Sequence, residues 1–208
     1  MDEPAMEARG RDAPDEPDAT LSFRGKAWFW LPVPLLVALD LWSKAAAFAY
    51  VAEHAPRARR VDFEFLSALS DRLGFALVDY TNTGTIWGLG QSLTIPLIVL
   101  RFVAVGALIW FAGRTPAGRR IQLLVIGLVL AGAIGNLYDN TFMPDRGVRD
   151  FLLFFYRGEG DVEHRFPAFN VADSCITVGA IGLAILLWRE PAKPAKPSIR
   201  GQDEGARS

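Results

Sequence analysis

The chain is organised around three stretches: GAIGNLYDN (residues 132–140), GVRDF (147–151) and FPAFNVADS (166–174). They place polar side chains at or between the facing ends of two apolar runs, and these are Asn136, Asp139, Asp150, Asn170 and Asp173. Residues three apart share a face of a helix, so the spacing predicts that each Asn–Asp pair acts together. A carboxylate at the centre of a membrane helix costs about 2.5 to 3.5 kcal/mol. Several near the ends of two spans therefore indicate a functional site rather than solvated helix caps.

The composition favours a membrane protein and excludes several function classes. Hydrophobic residues make up 51% of the 208 residues, and the formal net charge of −1 gives no case for a nucleic-acid partner. Cys175 is the single cysteine, so an internal disulfide is excluded and a packing role is expected. His54 and His164 are not spaced as metal ligands. We therefore expect neither a metal nor a cofactor.

The apolar runs predict a mainly α membrane protein with four transmembrane helices. Runs of 17 to 25 residues are long enough to cross a bilayer. The predicted spans within a domain of residues 23–190 are 27–50, 93–112, 121–137 and 171–188. The flanking segments 1–22 and 191–208 are rich in charge and proline, and we expect them to be disordered cytoplasmic tails.

The first apolar run has two interpretations. Ala45, Ala46 and Ala47 resemble the small-residue cleavage site of a secretory signal. Asp40 and Lys44 would interrupt the apolar region of such a signal, whereas on a retained helix they lie one turn apart and can pair. The sequence favours the retained span.

The second and third spans contain two further features. Arg101 lies near the middle of the second span, where its side chain can extend to the interface or pair inside the bundle; both readings stay open. In the third span, residues 131–135 contain four glycine or alanine residues, which predict close approach of a neighbouring helix.

The segment of residues 51–90 is more polar and predicts a small β-rich platform at the membrane surface. FALVDYTN (75–82) is weakly alternating and β-prone, and glycines follow it in TNTGTIWGLG. Asn82 and Gly84 fit a loop that binds an extended peptide, and they fit an ordinary Asn-Thr-Gly turn equally well.

Basic residues predict the orientation in the membrane. Clusters at residues 24–26, 114–120 and 189–196 all fall on one side of a four-span chain. The positive-inside rule then places both termini in the cytoplasm. The aspartates and the segment 51–90 share the opposite, extracytoplasmic side, although Arg57, Arg59 and Arg60 also lie there.

Paired carboxylates at this boundary indicate hydrolytic chemistry. Two carboxylates that approach closely cannot both ionise cheaply, so one holds a proton while the other acts as a base on water. Such a pair can hydrolyse an amide without a metal, serine or cysteine. At a membrane boundary the substrate would be a peptide bond close to a membrane anchor.

Five motifs in order resemble the signature blocks of bacterial lipoprotein signal peptidase (signal peptidase II): LDLWSK, NTGTIWGL, GAIGNLYDN, VRDF and FNVADS. The resemblance implies a monomeric aspartic endopeptidase of the bacterial inner membrane with a small extracytoplasmic β-cradle and a short surface helix over the site. It implies that the chain meets membrane lipids and cleaves diacylglyceryl-modified prolipoproteins on the N-terminal side of the lipidated cysteine.

The resemblance also implies roles for individual residues. Asp150 and Asp173 match the catalytic dyad. The residues that match supporting positions around the dyad and substrate are Asn136, Asp139, Asn170, Asn82, Gly84, Asp40 and Lys44.

Two departures from the family pattern concern charge. The family usually has arginine after the aspartate of its third block, where this chain has Asn140; Arg146 or Arg149 can supply that charge from the loop. VRDF also replaces a more apolar block. Two alternative functions are a small carboxylate-based membrane transporter and an inactive peptidase-like scaffold.

Overall fold

The structure is a computed structural model that describes residues 21–66, 70–83 and 94–189. Gly84, and the predicted tails apart from residues 21 and 22, lie outside the described residues. So does part of the segment 51–90 in which the surface helix was expected. Residue 22 is ordered against the bundle, since the Ser22 amide donates to the Gly113 carbonyl at 3.2 Å.

The described residues contain five α-helices, four strands and two short 3₁₀ helices, Glu64–Leu66 and Glu159–Asp161. A short helix α1 (Ala27–Trp30) leads into α2 (Pro32–His54), with Pro32 in the first turn, where its missing N–H costs nothing. The elements that follow in chain order are β1 (Arg60–Phe63), β2 (Leu73–Asn82), α3 (Thr94–Arg114), α4 (Arg120–Phe142), β3 (Val148–Arg157), β4 (Glu163–Arg165) and α5 (Val171–Arg189).

Four helical stretches within the described ranges are long and apolar enough to cross a membrane: Ala27–His54, Ile95–Arg114, Arg120–Phe142 and Val171–Arg189. The mainly α fold with four membrane helices is thus confirmed. The first helix extends past its predicted end at residue 50 to His54, and the third extends past residue 137 to Phe142. Helix α3 continues through Arg101 without interruption.

Helix α4 is the centre of the bundle, because the other helices pack around it. Its apolar face meets α1 and α2 in a core that contains Phe29, Val33, Leu123, Ile126 and Leu130. On another face α4 meets α5 at very short range: a Cβ on Gly132 would lie 2.3 Å from the Ala172 carbonyl oxygen. The close helix approach predicted for residues 131–135 is confirmed, and it brings the ends of α4 and α5 together.

The sheet is antiparallel in the order β1-β2-β3-β4. The platform predicted at about residues 51–90 contributes β1 and β2, whereas β3 and β4 come from residues 148–165 and residues 51–54 belong to α2. Apolar and polar residues do not alternate in FLLFFY of β3, so this segment lacks the period-two pattern that predicts a strand. Burial explains this, since Phe151, Leu153 and Phe155 pack inward while Leu152 also pairs with Phe169.

A bulge in β2 lies next to the polar end of the sheet. Leu77 pairs with Leu152 but Tyr80 pairs with Asp150, so β2 carries one extra residue between these two pairs. A bulge bends and twists its strand. Beyond it, Asn82 lies opposite Val148, and the end of β2 runs beside Asp150.

Candidate active site

The site lies where the C-terminal end of α4, the N-terminal end of α5 and the first residues of β3 meet. Backbone hydrogen bonds hold these segments together: the amides of Phe151 and Leu152 both donate to the Phe169 carbonyl, at 3.1 and 2.9 Å. This pairing places Asn170 beside Asp150. The Asn170 Nδ2 donates to Asp150 Oδ1 at 2.7 Å.

Asn170 also starts helix α5. Its Oδ1 accepts the backbone N–H of Asp173 at 2.9 Å, and its own backbone N–H donates to Asp173 Oδ2 at 3.2 Å. This reciprocal arrangement is a capping box, which satisfies two N–H groups at a helix start. The prediction that Asn170 and Asp173 act together is confirmed, although Asn170 is the cap rather than a residue within the helix.

Asn136 of α4 connects the two aspartates through amides. Its Nδ2 donates to the second oxygen of the Asp173 carboxylate, Oδ1, at 2.8 Å, and its Oδ1 accepts from Asn170 Nδ2 at 3.2 Å. Asp150 and Asp173 are therefore joined by a chain of two buried asparagines. No cation lies within ion-pair distance of either aspartate among the described ranges.

A second layer of charge lies deeper in the helices. Lys44 Nζ is 2.7 Å from Asp40 Oδ2 and 3.2 Å from Asp139 Oδ2, and it also donates to Asn136 Oδ1 at 3.1 Å. All three ionic side chains are 0 or 1% exposed. The predicted pairing of Asp40 with Lys44 is confirmed, and Asp40 further accepts the Ala172 backbone N–H at 2.8 Å.

Arg149 and Arg101 are the two cations whose partners the sequence did not determine. Arg149 forms a two-point contact with Asp139, with Nη2 2.7 Å from Oδ1 and its backbone N–H 3.0 Å from Oδ2. Arg146 contacts Asn140 through its backbone carbonyl, which accepts from Asn140 Nδ2. Arg101 Nη1 donates to Asn140 Oδ1, so its side chain pairs inside the bundle. The sequence signal for Arg101 was its isolation in an apolar run.

The surroundings of Asp150 change its acidity. Burial, followed by the neighbouring Asp173 carboxylate, raises the pKa of Asp150 to about 7, against the opposing effects of hydrogen bonds from Asn82 and Asn170 and the charge of Lys44. Asn82 thus lies beside Asp150. It also lines a cavity of about 730 Å³ that is bounded by Arg59, Tyr80, Arg165 and Phe166.

The fold and the site define a multi-pass membrane enzyme with paired carboxylates at one end of a helix bundle. A model of the family described as signal peptidase (SPase) II matches residues 33–189. The chain belongs to this family and is a peptidase that processes lipoprotein signal peptides in the bacterial inner membrane. This membership confirms the expected enzyme class over the transporter and the inactive scaffold.

Individual relatives agree with this membership. The chain is 35% identical to a lipoprotein signal peptidase from Pseudomonas syringae pv. tomato over 183 residues, which covers 83% of this chain and 94% of that relative. It is 33% identical over 159 residues to one from Borrelia duttonii, covering 72% and 82%. A bacterial membrane enzyme solved by the in meso method at 1.9 Å is similar with a TM-score of 0.58 and 25% identity, over 83% of this chain and 98% of that one.

Proposed function

We propose that the enzyme cleaves diacylglyceryl-modified prolipoproteins on the N-terminal side of the lipidated cysteine, with Asp150 and Asp173 as the catalytic dyad. The observation that carries the proposal is the chain from Asp150 through Asn170 and Asn136 to Asp173. It holds two carboxylates together with neutral donors, so one proton can stay on the pair.

The surroundings support different roles for the two aspartates. Asp173 accepts two hydrogen bonds and lies in the first turn of α5, where the helix dipole favours a negative charge. Asp150 is 2% exposed and has a pKa raised to about 7, so it carries the proton near neutral pH. Asp173 is then the base and Asp150 the acid.

The reaction proceeds in two balanced steps. Asp173 takes a proton from water while the water oxygen bonds to the scissile carbonyl carbon, and Asp150 donates its proton to the carbonyl oxygen. In the second step the C–N bond breaks as Asp173 gives its proton to the leaving nitrogen and Asp150 regains one from a hydroxyl group of the intermediate. The products are a carboxylic acid on the signal peptide and an amine on the cysteine, and the dyad again holds one proton.

The supporting residues keep this geometry. Asn136 and Asn170 position the dyad, and Asp139, Asp40 and Lys44 form the charged layer beneath it. Asn82 lines the cavity and hydrogen-bonds Asp150, and we assign the cavity to the extended substrate backbone.

The site end of the bundle faces the extracytoplasmic side in this proposal. Arg24, Lys26, Arg114, Arg119 and Arg120 lie toward the other end, which supports cytoplasmic termini under the positive-inside rule. Labelling tests this orientation in a Cys175→Ser background. An impermeant maleimide added to intact spheroplasts should label Asp161→Cys and leave Ala117→Cys unlabelled; the reverse pattern would invert the topology.

Cleavage of a diacylated precursor tests the function. Purified enzyme should release a signal peptide that ends immediately before the lipidated cysteine, as read by mass spectrometry. Asp150→Asn and Asp173→Asn should each reduce the rate at least about 10⁴-fold, since each removes one partner of the proton transfer. Asp161→Asn makes the same chemical change on an exposed residue and should keep normal turnover. Normal turnover by either dyad variant would remove that residue from the mechanism.

A further inference from the structure

Arg101 is a positively charged residue within an apolar membrane span, where a charge has a high free-energy cost. It is the one charged residue between positions 94 and 113, and its neighbours Leu100 and Phe102 are 62% and 54% exposed on the outer surface of α3. Arg101 itself is half-buried and points toward α4. An arginine within an apolar span is costly unless it pairs or serves a purpose.

Its partner is held in one orientation. Asn140 is 5% exposed, and its Nδ2 donates to the Arg146 carbonyl oxygen at 2.6 Å. A carbonyl only accepts hydrogen bonds, so the amide nitrogen of Asn140 must face Arg146 and the amide oxygen must face Arg101. Asn140 therefore fixes the guanidinium without neutralising its charge.

That charge lies near the dyad. Arg101 donates to Asn140, which follows Asp139 on α4, and the Asp139 carboxylate accepts the backbone N–H of Arg149, the residue before Asp150, at 3.0 Å. No carboxylate of the described ranges lies within ion-pair distance of Arg101. The site contains two other cations, and both form ion pairs. Lys44 pairs with Asp40 and Asp139, and Arg149 pairs with Asp139.

The net charge of the site depends on Arg101. The cluster contains four carboxylates, on α2, α4, β3 and α5, and three cations, on α2, α3 and β3: Asp40, Asp139, Asp150, Asp173, Lys44, Arg101 and Arg149. The internal segments 67–69 and 84–93, which lie outside the described residues, contain no ionisable side chain. The cluster is neutral when the dyad holds one proton, and without Arg101 it is neutral only when the dyad holds two.

We propose that Arg101 is a positioning residue for the dyad, and that its charge, held in place by Asn140, keeps one of the two catalytic carboxylates ionised. This inference rests on the proposed function, since it concerns the protonation of that same dyad. Loss of a nearby cation favours the protonated form of a carboxylate. A doubly protonated dyad has no base to activate water.

The test is the pH dependence of kcat/KM on a synthetic diacylated precursor peptide, from about pH 5 to 9. The acidic and basic limbs of the profile both report the protonation of the dyad. Removing the cation should raise the midpoint pH of each limb. Arg101→Gln should move both limbs upward by about one pH unit. Arg101→Lys should keep them near their wild-type positions. Arg114→Gln removes the same charge from the far end of α3 and is the matched control, with no shift expected.

A double variant separates charge from packing. Arg101→Gln/Asn140→Arg moves the cation from α3 to the end of α4, and it should return both limbs toward the wild-type pH. If Arg101→Gln alone is inactive at every pH, recovery of cleavage in the double variant supports the role and continued inactivity overturns it. Unmoved limbs in an active Arg101→Gln enzyme, or an equal shift in Arg101→Lys, also overturn it. Failure of the wild-type enzyme to cleave the peptide would instead contradict the proposed function.

Discussion

The inner and outer carboxylates of this site have opposite environments. Asp40 and Asp139 lie among the membrane helices, are almost fully buried, and contact Lys44 or Arg149 directly. Asp150 and Asp173 lie where the helices meet the sheet and are bonded by asparagine amides and backbone N–H groups. A neighbouring cation favours the charged form of a carboxylate, and the outer carboxylates have only neutral donors as direct partners among the described residues. We therefore infer that Asp40 and Asp139 support the structure, and that Asp150 and Asp173 are the pair available for the proposed chemistry.

Breaking the inner layer should produce the largest change in stability. Lys44→Met leaves Asp40 without a cation and Asp139 with one partner instead of two. Removing one partner of a buried ion pair costs about 3–5 kcal/mol. Thermal unfolding in detergent should show a correspondingly large loss. Arg59→Met breaks an exposed pair with Asp79 and is the control, with about 0–1 kcal/mol expected. Equal stability of the two variants would show that the inner pairs are not structural.

Loosening the outer layer should affect turnover more than stability. Asn170→Ala removes the amide that holds Asp150 and the cap that fixes Asp173. We expect kcat to fall about 10–100-fold, by analogy with the loss of a residue that positions a reacting group, and stability to fall by about 1 kcal/mol from the lost cap. Steady-state kinetics and thermal unfolding measure the two effects. Ser174→Ala, which removes a hydroxyl that bonds the Asn170 carbonyl, should leave kcat near the wild-type value. A loss of stability with unchanged kcat would make Asn170 a cap only.

A smaller effect should follow from crowding the inner layer. A Cβ on Gly135 would lie 2.4 Å from Asp40 Oδ2, so Gly135→Ala must displace that carboxylate, and we expect a loss of about 1–3 kcal/mol. Gly106→Ala places the same methyl group in open space on α3 and should be neutral or slightly stabilising. Unfolding temperatures of the two variants compare them directly. If Gly135→Ala matched Gly106→Ala, the helices would not be as closely fitted around Asp40 as the structure indicates.

The sequence predicted the helices better than the sheet. Hydropathy over about 20 residues is a local property, so the four spans were found with their ends displaced by a few residues. β3 pairs with β2 across more than 60 residues, and its buried apolar run has no period of two, so nothing local identified it as a strand.

For the candidate site, the sequence predicted the aspartates and asparagines but not the partners of the arginines. The spacing of Asn170 with Asp173 predicted a pair that the structure joins by hydrogen bonds, and Asn136 and Asp139, spaced in the same way, share Lys44 as a partner. The partners of Arg101 and Arg149 could not be predicted. They depend on the register of β3 and on which face of α3 meets α4, and neither is encoded in residue spacing.

The outer pair, Asp150 and Asp173, should hold one proton near neutral pH, and infrared spectroscopy measures this proton directly. The raised pKa of Asp150 means that its proton is retained below about pH 7 and lost as the pH rises through that value. The wild-type enzyme should therefore show the carbonyl stretch of a protonated carboxylic acid that disappears through this range, and Asp150→Asn should lack that titrating band. A band that persists in Asp150→Asn, or its absence from the wild-type enzyme at acidic pH, would contradict the account.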